Sequence, residues 1–279
     1  MLKASCIILL LISYQGSFGT AQIPDRIVYE GDTFSLHNTP LDMYPGEGIT
    51  NPYNLFESSG CFFTGCWRNY VATWMIENNR LYLTEIKNAC YPTEMTGAGT
   101  AYKSEADSVG NEYADLMALF PDRYKNGRVL ADWVNGELYA PYGDLLYYVH
   151  DGFRSIYENE LQLNFEKGEL LEVKEHDNSK TKKSIYNENY SLLWNFISSN
   201  IDPNMLLEAD SIRHKVFVQI VSTNDIGAID SVVVARGINE KYDQEAIRII
   251  KLIPEWDVIY RHGQKVEKNW VITVDFSKK

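Results

Sequence analysis

The sequence has no apolar run long enough to cross a bilayer: the stretch at residues 4–12 is about half of the roughly 20 residues a membrane-spanning helix needs. It has no Gly-x-Ser-x-Gly or other framed nucleophile, so the usual hydrolase signature is missing. It has no basic excess either. Lys and Arg number 26 against 38 Asp and Glu, a net charge of −12, and that sign repels phosphate backbones and anionic lipid alike. Nucleic acid is not an expected partner. Thiols and imidazoles are scarce, four Cys and five His, and no His lies close in sequence to a Cys, so a four-ligand zinc site is not expected. Neither a metal nor a cofactor is expected.

What is present begins with a leader. Met1, Leu2 and Lys3 precede the apolar stretch, and small or polar residues follow it at Gly16, Ser17, Gly19, Thr20 and Ala21. That order is a secretory signal, with Gly19 and Ala21 as the small pair a signal peptidase reads. Cleavage is expected before Gln22, making residues 1–21 a signal peptide and the mature protein periplasmic, without stable membrane insertion. Cys6 stands near the start of the apolar run rather than its end, so no lipid anchor is implied. Cys61, Cys66 and Cys90 then remain. An oxidising compartment favours one disulfide; Cys61 and Cys66, closing a small loop around Gly65, are the preferred pair, with Cys90 left buried.

The mature chain exceeds a usual single domain of about 100 to 150 residues, so two are expected. Charge divides it the same way. Residues 22–189 hold 14 basic and 26 acidic side chains, and residues 190–279 hold 11 and 12. Residues 22–175 read as a β-rich acidic domain with three hairpins: 70–84 around Asn78-Asn79, 129–139 around Asn135-Gly136, and 160–173 around Lys167-Gly168. A helix is expected over 112–119, ended by Pro121. Residues 176–189, polar and with little to bury, read as a linker. From Tyr190 the order expected is helix, helix, strand, strand, helix, strand. The last helix spans 243–253, with Asp243 as its cap and Ala246, Ile249, Ile250 and Ile253 on one face.

Residues 216–221, the turn Asn224-Asp225-Ile226-Gly227, the strand 229–234, Arg236-Gly237, Asp243 and Ala246 opening the helix, Pro254 and Trp256 closing it, and the strand 269–276 together carry a likeness. Residues 190–276 resemble the C-terminal domain of TonB-type energy transducers. The resemblance implies an α+β protein: a β-rich N-terminal domain followed by a small TonB-C-like domain with a three-stranded antiparallel sheet and packed helices. It also implies binding by strand addition, in which backbone groups of a sheet edge capture a segment of an outer-membrane receptor or another envelope protein. The edge it points to is the last strand, with Asn269, Val271, Ile272, Thr273, Val274 and Asp275 as partner-binding residues. The chain has Asp202-Pro203 and His214-Lys215 where that family carries Tyr-Pro and Gly, and shows neither an inner-membrane helix nor a Pro-rich spacer. Binding, not force transmission, is what the resemblance implies. The first half, through its Trp-containing strands and residues 142–153, resembles an uncharacterised exported domain of Bacteroidetes-type bacteria.

His150-Asp151, beside Tyr147, Tyr148 and Tyr157, is the cluster with an acid and a base. With no nucleophile framed beside it, it reads as structural, and no catalytic residue is assigned. The competing class is a hydrolytic or glycan-binding protein, docked by its C-terminal part, whose aromatic rings stack on sugars.

Overall fold

The computed structural model describes residues 19–46, 49, 55–56, 64–91, 111–207 and 214–278; the leader at 1–18 and Cys61 lie outside them. In the first half, β1 (Asp25–Tyr29), β2 (Asp32–Leu36), β3 (Tyr70–Glu77) and β4 (Arg80–Asn88) precede a short helix α1 (Leu116–Leu119). After it come β5 (Tyr124–Lys125), β6 (Arg128–Leu130), β7 (Gly136–Tyr147), β8 (Ile156–Glu166) and β9 (Glu169–Asp177). Among the described residues these form one mixed nine-stranded sheet with the path β2-β1-β3-β4-β9-β8-β7, in which β5 pairs with β6 and β6 with β4. Only the β1–β3 pairing in it is parallel.

Four of its hairpins turn on two residues that both have positive φ: Glu30-Gly31, Asn78-Asn79, Asn126-Gly127 and Lys167-Gly168. Such turns match the twist of the strands they join. Gly168 is further constrained, because a Cβ there would stand 2.4 Å from the Ala131 carbonyl oxygen. The expected 129–139 hairpin does not form. Strand β6 turns back to β5 through Asn126-Gly127, while β7 starts at Gly136 and pairs with β8. The Asn135 side chain is taken by the Lys167 N–H at 2.9 Å, so a contact from the next hairpin overrides the local Asn-Gly signal.

The sheet curls until its ends meet. His37 N–H donates to Tyr139 O at 2.8 Å, and Tyr139 N–H donates to the Asn38 side-chain oxygen at 2.6 Å. The enclosed space is filled by Trp74, Tyr70, Phe56, Leu83, Leu138, Phe165 and their neighbours, all nearly inaccessible. Asp25 is buried among them. Its carboxylate accepts from Arg68 at 2.8 Å, from Trp74 Nε1 at 3.1 Å and from the Ala72 N–H at 3.0 Å. Burial raises its pKa, and the Arg68 charge with the bonds from Ala72 and Trp74 opposes that rise.

The second half contains α2 (Ile185–Glu188), α3 (Tyr190–Asn200), β10 (Lys215–Thr223), β11 (Ile229–Arg236) and α4 (Glu240–Lys251), then β12 (Tyr260–Arg261), β13 (Gln264–Lys265) and β14 (Trp270–Asp275). Strands β11, β10 and β14 form an antiparallel sheet in that order. Helix α4 buries Ala246, Ile249 and Ile250 against it, starting three residues earlier than the sequence suggests. Its cap is Asn239, whose side chain accepts from the Lys241 and Tyr242 N–H groups; Asp243 instead accepts from the Ile238 N–H.

Two further expectations are overturned. The fold class, α+β with a small TonB-C-like domain and packed helices, gives way to a mostly β molecule, 44% strand and 18% helix, dominated by the mixed nine-stranded sheet. Composition hid this because β9 extends to Asp177 through residues that look like linker. The linker itself, 176–189, is packed structure. Asn178, Thr181 and Ser184 are buried. Lys182 and Val258 exchange backbone bonds at 2.8 and 3.0 Å, Thr181 Oγ1 bridges the backbone of Tyr260, and Ser184 donates to Asp257 and Glu255. Asn178, Thr181 and Ser184 bond to the 255–263 loop, while Ser179, Lys180, Lys182 and Lys183 stay exposed. Tyr147, Ile156 and Ile259 add an apolar cluster between the two sheets, with Trp270 against it.

Candidate functional site

Among the described residues strand β14 lies at the end of its sheet with no strand on its outer side, and its edge is regular. Antiparallel pairs alternate between those that exchange backbone bonds and those that do not. Phe276 N–H donates to His214 O at 2.8 Å. Carrying that alternation along the register makes Val274↔Val216, Ile272↔Val218 and Trp270↔Ile220 the bonded pairs. Val271 and Thr273, opposite Gln219 and Phe217, therefore turn their N–H and C=O groups away from β10. Past Asp275 the edge is covered, since Leu207 N–H donates to Phe276 O and Lys278 N–H to Leu207 O. The opposite edge, β11, has three register shifts against β10, and bulges of that kind resist further pairing. The β10–β14 ladder has none over its six pairs.

Beside this edge runs a groove of about 220 Å³, lined among others by Tyr190, Trp194, Trp256, Trp270, Val271 and Ile272. Helix α3 makes its far wall. The Asn189 side chain caps that helix by accepting from Leu192 N–H at 3.0 Å, while Leu193 and Ile197, one turn apart, anchor it in the core. That spacing leaves Tyr190 and Trp194, again one turn apart, facing the groove. Tyr190 is 74% exposed and Val271 56%, large values for an aromatic and a β-branched side chain. Trp256 and Trp270 meet edge to face at 6.2 Å. The Trp256 Nε1–H is buried without an acceptor, a donor left over where most buried polar groups are satisfied. The volume lies below the roughly 300 Å³ at which small-molecule pockets begin, so the groove suits individual side chains.

Beneath the groove Asp257 is buried and accepts from Ser184 N–H, Asn187 Nδ2 and the Tyr147 hydroxyl at 2.8, 2.8 and 3.0 Å. Burial, then the Asp257 charge, pushes the Tyr147 phenol well above its usual range. This network fixes α2 and the loop 255–258, and through them Asn187 and Trp256.

Of the residues the sequence assigned to partner binding, Val271 and Thr273 offer outward backbone groups, and Ile272 contributes its side chain to the groove wall. Asn269 is exposed just before the strand. Val274 is fully buried with its backbone committed to β10 and has no surface for a partner. Asp275 turns inward upon the chain: its carboxylate accepts from the Ser277 N–H and hydroxyl at 3.0 and 2.8 Å. Burial pushes its pKa up, but those bonds with Lys215 and His214 carry it below the usual carboxylate value.

The disulfide assignment is corrected as well. Cys66 is a free thiol, fully buried, donating to Tyr70 O at 3.2 Å, and burial raises its pKa. Cys90 is the disulfide-bonded cysteine, with its partner outside the described residues. The Cys61–Cys66 pair does not form, because Cys66 is drawn into the core beside Tyr70. His150 bonds the Tyr148 hydroxyl at 2.6 Å and Asp151 pairs with Arg154 at 2.8 Å, both at the surface; among the described residues they bond neither one another nor a nucleophile. Among the described residues no cluster of His, Cys, Asp and Glu could hold a metal ion, and no helix is long and apolar enough to cross a membrane.

No protein-family model, curated protein or solved structure matches this chain.

Proposed function

We propose that this protein is an exported binding protein that holds an extended segment of another envelope protein, such as an outer-membrane receptor, as an added strand along β14. The observation that carries the reading is the unbroken Trp270–Asp275 edge. Its outward N–H and C=O groups supply a template for backbone bonds, and the adjoining groove receives every second side chain of the incoming strand. The likeness of residues 190–276 to the transducer C-terminal domain supports the same mode, and the leader at 1–21 supports export. In the first sheet the aromatic residues Trp74, Trp133 and Phe120 pack on one another in the interior rather than forming a sugar-stacking face.

Proline separates edge from ladder. Val271→Pro or Thr273→Pro removes one outward donor and leaves the β10 bonds intact, so capture of receptor-derived peptides should weaken by up to about tenfold, the value of one net hydrogen bond. Val271→Thr should change it much less. Ile272→Pro breaks the inward ladder and should lower thermal stability instead. Calorimetry on periplasmic protein released by osmotic shock tests both parts. Full binding by both outward proline variants, or retention of uncleaved chain in the inner membrane, contradicts the reading.

A further inference from the structure

Resting on strand addition at β14, we propose that the site selects segments bearing an acidic side chain at the end that reaches Trp270, where Lys268 receives the carboxylate. The groove walls themselves are neutral, made of aromatic, aliphatic, Asn and Thr side chains. They set apolar preference but no charge preference. Lys268 supplies the charge: its ammonium stands 4.1 Å from the centre of the Trp270 ring, a wall of the groove, and 5.7 Å from that of Tyr147.

Other cations in this region are committed. Lys183 pairs with Glu188 at 2.7 Å, Arg154 with Asp151 at 2.8 Å, and Lys265 with Asp225 at 3.5 Å. Lys268 has no ion pair among the described residues. The nearest buried acid, Asp257, is turned towards Ser184, Asn187 and Tyr147. Burial lowers the Lys268 pKa, Asp257 counters this in part, and Arg154 adds to the lowering. A partly desolvated ammonium pinned on two aromatic faces loses little entropy on meeting a carboxylate and gains more than a fully solvated one would. Charge of this kind at a rim chooses among partners that share the same apolar pattern.

The test uses the full mature chain and N-acetylated, C-amidated heptapeptides in which Val and Leu alternate with Thr. They carry Glu or Gln at the first or the last position, so that either strand direction is sampled. At low salt, Glu at one of the two ends should bind about three- to tenfold more tightly than Gln. That preference should vanish in Lys268→Gln, persist in Lys268→Arg, and fade at 1 M salt, where screening acts within about 3 Å. Peptides that bind equally well with Glu or Gln at both ends overturn the selectivity and leave strand addition standing. Absence of binding by every peptide overturns strand addition itself, and the selectivity with it.

Discussion

His37 sits where the curled sheet closes. Its ring stacks on Phe153 at 5.4 Å and meets Tyr157 edge-on at 5.7 Å, and burial, helped by the Arg261 charge, lowers its pKa from 6.5 to about 4. The folded state therefore resists protonation that the unfolded chain accepts. Stability from this residue is fully present above pH 6.5, falls as pH drops through the window from 6.5 to about 4, and is lost below it, by up to about 3 kcal/mol. Urea unfolding of His37→Gln at several pH values should show a flatter acid limb across that window; an unchanged slope would refute the assignment. Neither His37 nor Asp25 was legible in the sequence. Asp25 owes its place to Arg68, 43 residues away, and no local pattern announces a partner that distant. Tyr190 and Trp194 were within reach. They continue the helical stripe of Leu193 and Ile197, and what sequence could not supply was the strand edge on the other side of the groove.

At the scale of elements, strands and turns were the most readable features where local chemistry and tertiary pairing agree, as at Asn78-Asn79 and Lys167-Gly168. They failed where the two compete. Asn135-Gly136 carries the same signal as Asn126-Gly127, yet only the second becomes a hairpin turn, because Lys167 claims the Asn135 side chain. The polar run 176–189 misled for a related reason: its hydroxyl, amide and charged groups resemble linker until the 255–263 loop is placed against them. Hydrogen-bonded, buried backbone resists proteases. Limited proteolysis of the folded protein should leave 178–184 uncut, with the Lys182 amide slow to exchange because Val258 holds it. Early cleavage within 178–184 would show that this packing is not stable in solution.

Taken whole, the molecule joins a curled, filled sheet to a smaller sheet whose outer strands are β11 and β14, and the junction is built from Asp257, Thr181 and the Tyr147–Ile156–Ile259 cluster. Where the ends of the first sheet meet, His37 and Asn38 bond the Tyr139 backbone of β7, which covers the edge at that point. Strand β14 keeps an outer edge backed by an unbroken six-pair ladder among the described residues, and an account of function by binding rests on its backbone. Amide hydrogen exchange of the isotopically labelled full chain, measured by NMR with and without a receptor-derived peptide, tests this most directly. In the free protein the Ile272 and Val274 amides should exchange slowly and those of Val271 and Thr273 quickly. Added peptide should slow Val271 and Thr273 while leaving Ile272 and Val274 as they were. Protection that instead gathers on β11 or α4, or no change at Val271 and Thr273 when the peptide is bound, would contradict strand addition at β14.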